Sequence, residues 1–205
     1  MNKNSILISF TLIVFTALAV MMGCAGGENV PNTGNTNTAS GANPSGAAPP
    51  GVPLASGLAE AEFQNLDGSS FTISQRKGKV LLLNIWGIWC GPCRAEMPHL
   101  IEMQEKHGAQ GFDVIGFNIG NQNLEPESVD NVKNFAENFK PKPLNYPLAL
   151  SGKKSTAEFY KISGQSAVPQ SFVVDREGRL RGVFVGGGAR VVGQMKDLVA
   201  KTMAE

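Results

Sequence analysis

The chain has 205 residues, 18 Lys and Arg against 17 Asp and Glu, a formal charge of +1, and 3 Cys but only 2 His. With its basic residues dispersed and its charge near zero, it carries no electrostatic footprint for nucleic acid or for an anionic membrane surface, so no nucleic-acid partner is expected.

The N-terminus bears on the compartment. After Lys3 an uncharged apolar and small-residue run extends from Ile6 to Met22, followed at once by Gly23 and Cys24. Its length fits either a short membrane span or a long signal core. The stretch "AVMMGCAGG" resembles the lipobox of a bacterial lipoprotein signal, in which the cysteine is lipidated and becomes the mature N-terminus; Met21 stands where leucine is usual. Residues 1–23 are therefore expected to be a lipoprotein-type signal peptide and Cys24 a lipidation site. The alternatives, a plain signal peptide or an uncleaved anchor, also place the rest of the chain outside the cytoplasm.

Residues 25–57 are almost entirely Gly, Asn, Thr, Ser, Ala and Pro, with Glu28 the only charge and no aromatic residue. Such a composition buries too little apolar surface to offset chain ordering, so residues 24–57 are expected to be the lipidated cysteine and a disordered tether. As a flexible coil its end-to-end distance would be about 30 Å. Residues 58–205 have the length of one domain, without repeats or a second linker.

Within that domain "EFQNL" and "SFTI", joined by Asp67-Gly68, predict an N-terminal hairpin. "KVLLLNIW", residues 79–86, is apolar on both faces, as a central strand covered from two sides should be. Helical spacing follows from about Cys90 to His107, with Met97, Leu100, Ile101 and Met103 on one face and Gly108 as the stop. "FDVIGFNI" predicts a second buried strand, and Val129, Val132, Phe135, Ala136 and Phe139 a helix opened near Pro126 and Ser128. "FKPKP", 139–143, reads as a solvated loop. A short helical piece at 155–160 precedes "QSFVVD", the turn "REG" and "RLRGVFVG", a hairpin, and a helix from about Arg190 to Met203 closes the chain. Strands alternating with helices predict an α/β fold, a central mixed sheet with helices on both faces, preceded by the N-terminal hairpin.

"IWCGPCRAEMP", 88–98, thus falls where a buried strand gives way to a helix. Unpaired backbone N–H groups and the positive end of the helix dipole converge there and favour a thiolate. Cys90 is expected to be the exposed nucleophile of low pKa, and Cys93, one turn on and more buried, the thiol that attacks the mixed disulfide formed by Cys90. Gly91 and Pro92 suit the first turn, where the N–H that proline lacks would have no partner. Trp89 reads either as packing or, with Gly91 and Pro92, as substrate-facing surface; Trp86 reads as core.

"VLLLNIWGIWCGPCRAEMPHL", together with "AVPQSFVVDREGRL" farther on, resembles the extracytoplasmic thioredoxin-like thiol-disulfide oxidoreductases of the TlpA/ResA type, over essentially all of 58–205. The resemblance implies a thioredoxin-like fold, attack by Cys90 and resolution by Cys93. It implies a cis Pro169, with the Val168 backbone holding the substrate chain, and Glu96 as the acid that assists proton transfer. It also implies reduction of protein disulfides, including apocytochrome c cysteines before haem attachment, and recharging by a membrane electron donor. Cytoplasmic thioredoxins carry an aspartate at the position of Asn84; an amide cannot accept the proton of Cys93, which leaves Glu96 as the candidate.

Other readings fit less well. A disulfide between cysteines three apart closes almost no loop and stabilises little, which argues against a purely structural bond. His99 lies about 240° around the helix from Cys93 and about 9 Å along it, too far for a shared zinc site, and both it and His107 read as solvated. Haem attachment would need a histidine where Arg94 stands. A thiol peroxidase of the peroxiredoxin branch would want a lone cysteine in a Thr-rich loop, and a non-enzymatic copper-binding lipoprotein a Met or His cluster. The expectation is a membrane-anchored, extracytoplasmic, monomeric oxidoreductase that exchanges a dithiol with protein thiols and disulfides and needs no dissociable cofactor or metal.

Overall fold

The structure, a computed structural model, describes residues 51–205. The expected signal peptide, Cys24 and the expected tether up to residue 50 lie outside the described residues. In chain order the elements are β1 (Val52–Pro53), α1 (Ser56–Ala59), β2 (Phe63–Asn65), β3 (Ser70–Phe71), β4 (Val80–Trp86), α2 (Gly91–His107), β5 (Phe112–Asn118), α3 (Val129–Asn138), β6 (Leu148–Leu150), α4 (Lys153–Ser163), β7 (Gln170–Val174), β8 (Arg179–Val185) and α5 (Ala189–Met203).

One eight-stranded sheet runs in the order β1-β8-β7-β4-β5-β6-β2-β3. β4, β5 and β6 are parallel neighbours, while β7 pairs antiparallel with both β4 and β8, so the sheet is mixed. Every residue of β4 and β5 is buried. Alternation along β4 decides which way each side chain goes. Val80, Leu82 and Trp86 join the core under α2, α3 and α5, while Leu81, Leu83 and Ile85 join the core under α1 and α4. The second core is aromatic, with the Phe63, Phe117, Phe159 and Phe172 rings in successive contact at 4.4–5.2 Å. Helices therefore cover both faces of a thioredoxin-like α/β sheet.

Five local expectations change. The folded region begins before residue 58: Val52 pairs with Leu180 and Pro53 with Arg179, Leu54 N–H bonds Gly178 O at 3.1 Å, and the Leu54 side chain is buried. The hairpin residues Phe63 and Phe71 pair across Gly68, whose φ of 89° suits glycine, yet β2 also pairs with β6, so the hairpin is an edge of the main sheet and not a separate preface. Gly108 stays right-handed at φ −54° and continues into a 3₁₀ turn; the left-handed stop is Gly111 at φ 85°, which leads into β5. The helix anticipated at 155–160 runs over Lys153–Ser163 and ends on left-handed Gly164. In "FKPKP" Phe139 is buried in the core, and only the residues after it are exposed.

Candidate active site

β4 delivers the chain to the open end of the sheet, and Gly87, Ile88 and Trp89 turn it into α2. Trp89 folds back over the turn. A methyl group on Gly87 would stand 2.6 Å from Trp89 Nε1, so only glycine leaves room for the indole there. Trp89 Nε1 donates to Gly120 O at 2.9 Å, and the residue remains 41% exposed.

Cys90 is the N-cap of α2: its Sγ accepts the Cys93 N–H at 3.2 Å. Helices leave their first N–H groups without internal partners, so this sulfur occupies the place usually taken by a serine or aspartate oxygen. Cys90 and Cys93 form a disulfide with an S–S distance of 2.01 Å. In this form Cys90 is 3% and Cys93 2% exposed, so the expected contrast between an exposed Cys90 and a buried Cys93 does not hold here. Bonded inward and capping its own helix, the Cys90 sulfur is drawn under the surface. Gly91 and Pro92 are exposed beside it.

The Val168–Pro169 peptide bond is cis, and Pro169 is buried at the start of β7 while Val168 is partly exposed. Gly186 N–H bonds Pro169 O at 2.9 Å. A methyl group on Gly187 would lie 3.5 Å from Pro92 Cβ and 3.9 Å from Pro169 Cγ. The glycine loop after β8 thus lies against Pro169 and against Pro92, which stands between the two cysteines, a place that sequence reading did not assign to "GGG".

Glu96 lies one turn beyond Cys93 and is buried, 3% exposed, unlike most helix carboxylates, which face solvent. Its Oε1 accepts from Asn84 Nδ2 at 2.9 Å and from Ser171 Oγ at 3.2 Å. Asn84 also donates to Ser171 Oγ at 3.0 Å. Asn84 and Ser171 are paired in register on β4 and β7, so the two donors come from one rung of the sheet directly beneath α2. Burial pushes the Glu96 carboxyl up to about 7, and the Ser171 and Asn84 hydrogen bonds pull in the other direction. A carboxyl poised there exchanges a proton readily near neutral pH. Ser171 escaped sequence reading because it is a small polar residue inside an otherwise ordinary strand; its only signal is a hydroxyl in "QSFVV".

His99 is half exposed beside Glu102, whereas His107 is not simply solvated: its Nδ1 is buried and its ring meets Phe112 edge-on at 5.9 Å. Among the described residues no group of three or more His, Cys, Asp or Glu side chains gathers as a metal site would. Nor is any helix among them long and apolar enough to cross a membrane.

The chain resembles known proteins along most of this domain. It is 29% identical over 124 residues to the thiol-disulfide oxidoreductase ResA of Geobacillus thermodenitrificans, the match covering 60% of this chain and 64% of that one. For ResA of Bacillus subtilis the identity is 28%, with 60% and 63% covered. The matched segment thus spans less than two thirds of these relatives' own length. Among solved structures, a thioredoxin-family thiol:disulfide interchange protein from Chlorobium tepidum superposes with a TM-score of 0.58 at 25% identity, covering 78% of this chain and 99% of that one. A secreted thiol-disulfide isomerase from Corynebacterium glutamicum gives a TM-score of 0.57 at 25% identity, covering 71% and 84%. The Redoxin family model matches residues 44–198, and the chain belongs to the Redoxin family.

Proposed function

We propose that the protein is a thiol-disulfide oxidoreductase acting on disulfides of other proteins outside the cytoplasm. The observation that carries this reading is the Cys90–Cys93 disulfide at the head of α2, with the Cys90 sulfur accepting the Cys93 N–H and a buried carboxyl one turn below.

In the reduced form the Cys90 thiolate attacks one sulfur of a substrate disulfide, forming a mixed disulfide and releasing the other sulfur as a thiolate, which takes a proton from water. Cys93 then passes its proton to the Glu96 carboxylate and attacks the Cys90 sulfur. The second substrate thiolate leaves, and Cys90 and Cys93 end joined. Two electrons move from the dithiol to the substrate, so a thiol-reducing donor must restore the dithiol. Trp89, Gly91 and Pro92 on one side and Val168, Pro169 and Gly187 on the other frame the place where the substrate chain would lie.

The direction proposed is reduction. A Cys-Gly-Pro-Cys resembles that of reducing thioredoxins, at about −270 mV, more than that of strong oxidants near about −120 mV. Apocytochrome c cysteines are the substrate class that this reading favours, a membrane electron donor its source of electrons, and lipidated Cys24 its anchor. The apolar run before Cys24 and the likeness to a secreted thiol-disulfide isomerase of Corynebacterium glutamicum support the exported location.

The test is reduction of insulin disulfides by the full chain with a dithiol as electron source. Wild type turns over, Cys90→Ser is inactive, and Cys93→Ser stalls as a mixed disulfide. Turnover of hydrogen peroxide in place of insulin would instead mark the peroxidase branch of the fold.

A further inference from the structure

Asn84 is paired in register with Gly116 on β5 as well as with Ser171 on β7. Gly116 leaves a notch beside Asn84. A methyl group there would stand 3.0 Å from Trp86 Nε1, 3.2 Å from Tyr146 Cε2 and 2.7 Å from Leu148 Cδ2, so the indole N–H edge and the tyrosine ring both close on the space that glycine leaves. Trp86 and Tyr146 are buried, and neither Trp86 Nε1 nor the Tyr146 hydroxyl has a hydrogen-bond partner. Buried polar groups are rarely left so, because the bond to water given up on burial is then not replaced. On the neighbouring carboxyl both hydrogen bonds fall on Glu96 Oε1, and among the described residues none reaches Oε2. An acceptor without a protein donor, Glu96 Oε2, thus lies on the same side of the sheet as two buried donors that lack an acceptor.

We propose that Tyr146 is a positioning residue for Glu96: when the carboxyl ionises, the Tyr146 O–H donates to it, directly or through one water, and holds the charge that receives the Cys93 proton. Burial, and then the Glu96 charge, hold the Tyr146 phenol well above its ordinary range, so it stays protonated and able to donate at every pH where Glu96 works. The other groups facing Glu96 are Asn84 and Ser171 from the sheet and Cys93 from its own helix. The buried residues that α3 and α5 contribute to this side of the sheet, Val132, Ala136, Val192 and Met195, are apolar. Tyr146 also lines an open groove of about 510 Å³ with Leu66, Lys133, Ala136 and Leu144.

The inference rests on the proposed proton role of Glu96, but its test needs no turnover. Glu96 is followed by carboxyl ¹³C NMR in the oxidised full chain, its signal identified by loss in Glu96→Gln. Tyr146→Phe, which removes one oxygen atom, is expected to lower the acid constant of Glu96 roughly tenfold, the effect of losing one hydrogen bond to a charged group. In the wild type the Tyr146 Cζ resonance is expected to move with the Glu96 midpoint. An unchanged Glu96 midpoint in Tyr146→Phe, or a Cζ resonance that does not follow Glu96 in the wild type, would overturn the assignment. In reduction kinetics the same variant is expected to slow release of the mixed disulfide several-fold at neutral pH, to recover in alkali, and to have no effect in a Glu96→Gln background. An equal loss in that background would overturn it as well. A protein inactive in reduction but with these titrations intact would count against the proposed function alone.

Discussion

A carboxyl at 3% exposure is stable mainly when neutral, and Glu96 is the residue where stability and chemistry conflict. Its midpoint is raised from 4.5 to about 7, chiefly by burial. The folded state then binds the proton more tightly than the unfolded chain, so the stabilisation is complete below about pH 4.5 and is lost as pH rises through about 7. The difference corresponds to on the order of 3 kcal/mol. Denaturant melts of the oxidised protein are therefore expected to lose stability from about pH 5 to 8, and Glu96→Gln to remove most of that slope. A wild-type slope that persists in Glu96→Gln would show that another group is responsible. Glu96→Gln is also expected to slow release of the mixed disulfide by roughly 10- to 100-fold while leaving Cys90 alkylation nearly unchanged, as stopped-flow reduction followed by tryptophan fluorescence would record. Ser171→Ala removes one of two donors to Oε1, so the Glu96 midpoint should rise and the neutral-pH rate fall in the same direction. Family resemblance pointed to Glu96 and the residue at position 84 to its neighbour. Ser171 and Tyr146 were not legible, because one sits in β7 and the other in the loop before β6, and nothing in their local sequence marks them.

At the scale of elements, β4 and α2 were the most legible parts of the chain, because a doubly buried strand is a continuous apolar run and a packed helix repeats its apolar residues every three or four positions. β6 has only three residues, too few for either period to show, and β1 lies in a Pro- and Gly-rich stretch whose composition hides it. The glycine loop after β8 was also silent, since its importance depends on what folds against it. Gly187 is not in the left-handed region, and a side chain there would extend across Pro92 and Pro169. Gly187→Val is accordingly expected to slow reduction of insulin markedly while leaving reduction of a small aromatic disulfide close to wild type; equal slowing of both would mean that the loop does not shape the substrate surface. Gly116→Ala tests the sheet itself. Its methyl would press on Leu148 at 2.7 Å and Trp86 Nε1 at 3.0 Å, and such overpacking costs about 1–3 kcal/mol, to be read as a lower denaturant midpoint.

For the whole molecule, the fold class and the alternation of strands and helices followed from pattern, whereas the N-terminal limit of the domain did not. Leu54 contributes one buried side chain, and β1 covers part of the β8 edge. A chain starting at residue 51 is expected to melt with full cooperativity, and one starting at 58 to lose on the order of 2–3 kcal/mol, or several degrees in Tm. Equal melting temperatures would return residues 51–57 to the tether. In the proposed cycle Cys90 attacks and Cys93 resolves, since Cys90 Sγ alone of the two sulfurs caps the helix N-terminus. That order is tested most directly by mixing reduced Cys93→Ser and Cys90→Ser variants of the full chain with a disulfide-bonded peptide and weighing the adducts by mass spectrometry. A persistent mixed disulfide through Cys90 in Cys93→Ser and little adduct in Cys90→Ser are expected; a stable adduct through Cys93, formed at least as fast, would reverse the two roles.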